Sequence, residues 1–154
     1  MFLIGLSGGE PAERERVADS LVASGKACLS VYAMRPPMTR PGESSARRFR
    51  NISGEARGEQ LAVALSGLNG PVGRSAGLIL SHCLTAEEAK IVRDRGGEVW
   101  HLYGQAPSEL VPIRREDRMI NPYGPAYKHV LAPLEALSEY MLATGRAMSG
   151  RARA

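Results

Sequence analysis

Short apolar runs alternate with helix-length segments along this chain, and that alternation constrains the fold more than any other feature. Phe2 to Leu6 is an apolar run closed by Ser7-Gly8-Gly9, which reads as a buried strand and a turn. Pro11 to Ser24 follows, with Val17, Ala18, Leu21 and Val22 at helical spacing and Gly25 as the stop. Lys26 to Met34 is rich in strand formers until Pro36-Pro37. A second helix is predicted over Glu55 to Leu68, with Leu61, Leu65 and Leu68 on one face, and a further buried strand over Gly77 to Cys83. Thr85-Ala-Glu-Glu88 has the spacing of a capping box and opens a helix to Arg95, ended by Gly96-Gly97. Glu98 to Tyr103 is a strand carrying the single Trp, Trp100. A short segment, Arg118-Met-Ile120, leads to the turn Asn121-Pro-Tyr-Gly124. The last helix is predicted over Val130 to Ala143, burying Leu131, Leu134, Leu137 and Leu142. Strands that alternate with helices form a parallel sheet covered on both faces, so the expected class is α/β with three layers.

A chain of 154 residues has one-domain length, and residues 1–145 read as that domain, with 146–154 a basic tail expected to fray. At 44% hydrophobic and 23% charged residues, disorder is excluded as the general state. The net charge of +4 permits contact with phosphate or nucleic acid without demanding it. Its distribution says more: Arg35, Arg40, Arg47, Arg48, Arg50 and Arg57 crowd one stretch. Residues 35–54 also concentrate Pro, Gly and Ser, which predicts an exposed loop or a lid, with a substrate-facing segment near 35–58. Cys28 and Cys83 sit in apolar runs and are expected to be buried thiols in a reducing compartment. The apolar start Met1 to Leu6 is too short for a signal peptide and no run approaches a membrane span, so the expected location is cytoplasmic, without a membrane partner. No Cys/His spacing suits zinc, so no metal ligand is assigned.

Several stretches, in order, resemble the deoxynucleoside monophosphate kinases of tailed bacteriophages. Leu3-Ile-Gly-Leu-Ser-Gly8 with Val17-Ala-Asp19 and Leu21 is similar to that family's first strand, phosphate-binding loop (P-loop) and first helix. Arg47 to Arg57 resembles the family segment that holds the monophosphate substrate. Leu78-Ile-Leu-Ser81, Glu88-Ala89 and Gly96-Gly-Glu-Val-Trp100 resemble the later strand–helix–strand unit, and Asp117 to Gly124 the closing strand and turn. The resemblance implies a P-loop-kinase-like sheet. It also implies phosphate or nucleotide contacts at Gly8, Gly9, Arg14, Arg35, Arg48, Glu55 and Arg57.

The chemistry of that family is depleted here. A working P-loop reads G-x-x-x-x-G-K with a nearby Ser or Thr: the glycines let N–H groups surround phosphate, the lysine neutralises it and the hydroxyl holds Mg²⁺. This chain reads Gly8-Gly-Glu-Pro-Ala-Glu13, then Arg14-Glu-Arg16. Glu13 stands at the second glycine, Arg14 at the lysine and Arg16 at the hydroxyl, while Pro11 removes a backbone donor. Pro11 and the carboxylates of Glu10 and Glu13 suit an ordinary helix start, and Glu10 and Arg14 are spaced for a helix-surface pair. His82-Cys-Leu84 replaces the Asp-Val-Arg that the family carries after its later strand. Catalytic roles are thus left unassigned, with Arg14, Arg16 and His82 as the remaining candidates; His101 and His129 lack matching partners in the sequence.

The expected function is that of a non-catalytic relative of these kinases, binding a deoxynucleoside monophosphate, a nucleic acid or a host protein. Two alternatives stand beside it. One is an active nucleotide phosphotransferase with an altered loop, which alone would require ATP and Mg²⁺. The other is a basic nucleic-acid-binding accessory protein acting through residues 35–57 and the tail. The sequence leaves the oligomeric state open.

Overall fold

The computed structural model describes residues 2–34, 53–67, 77–104, 108–124 and 127–151, with side chains to residue 145. In chain order the elements are β1 (Phe2–Ser7), α1 (Pro11–Ala23), β2 (Leu29–Tyr32), α2 (Gly54–Gly67), β3 (Gly77–Leu80), α3 (Ala86–Asp94), β4 (Glu98–Leu102), β5 (Arg118–Ile120), β6 (Val130–Leu131) and α4 (Pro133–Arg151). The strands form one six-stranded parallel sheet in the order β2-β3-β1-β4-β5-β6. This is the expected three-layer, P-loop-kinase-like α/β architecture.

Pleating divides the core into two slabs. On one face Ile4, Leu6, Ile79, Trp100, Leu102 and Ile120 pack against Val17, Ala18 and Leu21 of α1 and Ala136, Leu137 and Tyr140 of α4. On the other, Leu3, Leu78, Leu80 and Val99 meet Leu61 and Leu65 of α2 and Ala89 and Val92 of α3. Strands β1, β3 and β4 are covered on both faces, which is why their sequences read as continuous apolar runs. Tyr140 ties α4 to the centre: its hydroxyl lies 3.4 Å from the N–H and the carbonyl of Leu3, and donates to the Gly96 carbonyl.

Several expectations shift. Strand β2 begins at Leu29, because Ser24–Lys26 is a turn around Gly25 at φ +64°; Cys28 therefore lies outside the strand and is exposed. Cys83 is buried, and burial drives its thiol far above the ordinary range. The last helix starts at Pro133, since Val130 and Leu131 pair with Met119 and Ile120 as β6 and a proline favours the first helical turn. That helix extends to Arg151, beyond the residue 145 where the tail was placed. Val22, Leu134 and Leu142 are exposed, so the core stripes of α1 and α4 are narrower than their leucine and valine spacing implied. Residue Leu68 and the Arg-rich stretch 35–52 lie outside the described residues, as does Arg153. Among the described residues, no helix is long and apolar enough to cross a membrane.

Candidate functional site

Parallel α/β sheets bind ligands beyond the carboxyl ends of their strands. Here that edge begins with Gly8 and Gly9, both at positive φ (76° and 61°), a conformation that only glycine adopts at low cost. Glu10 returns to an extended conformation and Pro11 starts α1.

Several backbone donors at the helix start are engaged within the chain or absent. The Glu10 N–H donates to the Glu13 carboxylate at 3.0 Å, Pro11 has no N–H, and the N–H groups of Glu13 and Arg14 both donate to the Glu10 carbonyl. The Glu13 carboxylate thus closes the first turn of α1 by accepting the Glu10 N–H.

Arg14 departs from expectation. It is not a surface partner of Glu10: it is 2% exposed and turned inward. Its Nη1 donates to the carbonyls of Gly8 (2.7 Å) and Gly9 (2.6 Å), and its Nε donates to His82 Nδ1 (3.3 Å). The turn therefore closes around a cation through its carbonyls, the reverse of an anion nest built from N–H groups. Burial pulls the guanidinium below its ordinary value, opposed by the charges of Glu10, Glu15 and Glu13. The carboxylates of Glu10, Glu15 and Glu13 are near enough for their charges to favour the charged guanidinium.

His82 is completely buried behind Arg14. Burial, then the Arg14 charge, lowers its pKa, against the raising effect of the Glu15 contact. A neutral ring that accepts at Nδ1 carries its proton on Nε2, which faces Glu15 Oε1 at 3.2 Å. The lone pair a general base would use is engaged by Arg14.

Arg57 is also internal. Its guanidinium grips Glu88 with two bonds, Nε to Oε2 at 3.1 Å and Nη2 to Oε1 at 2.9 Å, and Nη2 also reaches the carbonyls of Met34 and His82. Glu88 Oε2 simultaneously accepts the N–H groups of Leu84 and Thr85 and the Thr85 hydroxyl. Glu55 and Arg16 are exposed on α2 and α1, and Arg35 and Arg48 lie outside the described residues. Of the sequence-named residues, the fold joins Gly8, Gly9, Arg14 and His82 directly, with Arg57 contacting the His82 backbone.

A second buried network was not foreseen. Asp117 accepts from Arg93 (2.6 Å and 3.2 Å), from His101 Nε2 (2.9 Å) and from the Arg114 N–H (2.8 Å). Burial alone would raise its pKa, but the bonds from Arg93, Arg114 and His101 hold it below the usual carboxylate value. His101 thus has the partner that sequence spacing did not reveal. Three polar atoms, Ser7 Oγ, Ser81 Oγ and His101 Nδ1, are buried without a partner among the described residues. No group of three or more His, Cys, Asp or Glu side chains among those residues is placed to hold a metal ion. No protein-family model and no curated protein matches the chain.

Proposed function

We propose that this chain is a non-catalytic relative of the phage deoxynucleoside monophosphate kinases, which binds a nucleotide or a macromolecular partner and transfers no phosphoryl group. The observation that carries the proposal is the capture of the Arg14 guanidinium by the Gly8 and Gly9 carbonyls. A phosphate-binding loop needs inward N–H groups and a cation free to follow the transferring phosphate. This turn presents carbonyls, its cation is held in place, and the charges of Glu10, Glu15 and Glu13 favour its charged form. Arg16, at the position where the related kinases carry a magnesium-binding hydroxyl, is an exposed cation.

The test is isothermal titration with ATP–Mg²⁺ and, separately, with deoxynucleoside monophosphates, alongside an assay for phosphoryl transfer. The expected result is no phosphoryl transfer, with any affinity for ATP independent of Mg²⁺. Saturable ATP binding together with turnover lost in Arg14→Ala would establish a phosphotransferase instead.

A further inference from the structure

The surface between β5 and β6 carries aromatic rings that the core does not use. Tyr127 is 61% exposed and stacks on the exposed ring of His129, with centroids 6.1 Å apart and planes at 13°. Tyr103 meets Tyr127 edge-on at 5.8 Å. Tyr103 lies one residue past the carboxyl end of β4, while Tyr127, Lys128 and His129 lead directly into β6. Rings held by other rings lose little freedom when a ligand docks on them, so the surface is pre-organised for a flat partner.

Charge distinguishes the two sides of this surface. Lys128 stands between Tyr127 and His129, is exposed, and is the one Lys or Arg in residues 121–131. Toward α1 the surroundings are acidic: the Tyr123 hydroxyl donates to Glu13 Oε1 at 3.0 Å and fastens the turn after β5 to the helix start. A flat ligand carrying an anion would therefore direct that anion to Lys128 and away from α1. A nucleobase attached to a phosphate has that combination of a π face and a negative charge, and bases stack on tyrosine and histidine rings.

We propose that Tyr127 and His129 form a stacking site for a nucleobase whose phosphate is held by Lys128 instead of by the start of α1. The proposal rests on the nucleotide-binding reading above and gives it a location and an orientation. The base comes from a mononucleotide or from a single strand, and both sources present the same chemistry to the site.

The experiment is proton NMR of the His129 and Tyr127 rings during titration with deoxynucleosides, deoxynucleoside monophosphates, a short oligodeoxythymidine and ribose 5-phosphate. Ring-current shifts are expected with every base-bearing probe and not with ribose 5-phosphate. Tyr127→Ala should weaken binding about tenfold or more, on the scale of one stacked base, and Tyr127→Phe should retain it. Lys128→Gln should weaken the monophosphate and leave the nucleoside unchanged. An oligonucleotide advantage of well over tenfold identifies a single strand as the source, and equal affinities identify a mononucleotide; both support the site. Equal binding by wild type and Tyr127→Ala, shifts with ribose 5-phosphate alone, or no shift with any probe would overturn it. Phosphoryl transfer by the wild type would sink the functional reading while leaving a positive stacking result in place.

Discussion

Arg57 on α2 and Glu88 on α3 are joined by two hydrogen bonds, and the same carboxylate closes the first turn of α3. One group thus fastens two helices together and satisfies backbone donors that α3 would otherwise leave open. Removing one partner of a buried pair strands the other charge, at a cost of about 3–5 kcal/mol. Glu88→Ala should lower the unfolding free energy by about that amount in urea titrations. The double variant Arg57→Met/Glu88→Leu should lose less than the two single variants combined.

Arg14 is expected to act on stability rather than on nucleotide turnover. Arg14→Ala leaves the Gly8 and Gly9 carbonyls and His82 Nδ1 without their donor. The expected loss is about 3 kcal/mol, given roughly 1–3 kcal/mol for a buried group left unpaired. Lysine keeps the charge but lacks the fork, so Arg14→Lys should lose less, about 1–2 kcal/mol. Denaturant unfolding of the two variants checks the order; a neutral Arg14→Ala would contradict the captured-cation geometry.

His82 sets a pH window. Burial, followed by the Arg14 charge, keeps its folded pKa below the ordinary 6.5. On acidification the unfolded chain takes up this proton first, so stability is full above 6.5 and falls as pH drops toward the folded value. Asp117 acts lower: its folded pKa lies below 3.8, so its contribution is present above 3.8 and is lost as pH falls through the folded value. As pH falls below 6.5 the thermal midpoint should fall with acidification in the wild type, and His82→Gln should flatten that slope.

Asp117→Ala removes the acceptor shared by Arg93, His101 and the Arg114 backbone. A loss of about 3 kcal/mol is expected from the stranded, mostly buried Arg93, measured by circular dichroism during denaturation. Asp117→Asn should retain part of the stability through its remaining carbonyl oxygen.

Gly97 is required by close packing. A Cβ there would lie 2.6 Å from the Leu3 carbonyl oxygen and 2.9 Å from that of Val92, both backbone atoms with little room to yield. Gly97→Ala should cost about 1–3 kcal/mol, the usual penalty for overfilling a packed position, and lower the thermal midpoint.

Features whose causes lie within a few residues were legible in the sequence. The Thr85–Glu88 capping box, Pro11 at the start of α1, the stop at Gly25 and the Asn121 turn each depend on hydrogen bonds or torsions spanning at most four residues. The apolar strands were legible because burial on both faces leaves little place for polar side chains. The narrow strand β6 was hidden by apolar residues that also fit a helix, until its pairing with β5 decided between them.

The sequence by itself determined an alternating α/β chain and a first turn that carries Gly8 and Gly9 followed by Pro11, Glu13 and Arg14. It did not determine where the remaining charges point. Arg14 and His82 are 68 positions apart, Arg57 and Glu88 are 31, and His101 and Asp117 are 16. Only the tertiary fold brings those partners together: the strand order places the ends of β1 and β3 side by side and β4 beside β5, and α2 packs against α3. An arginine in a helix's first turn is compatible with solvent, a phosphate or a carbonyl in sequence terms. The tertiary structure selects the carbonyls of Gly8 and Gly9, because a buried guanidinium must find acceptors and those two lie within reach.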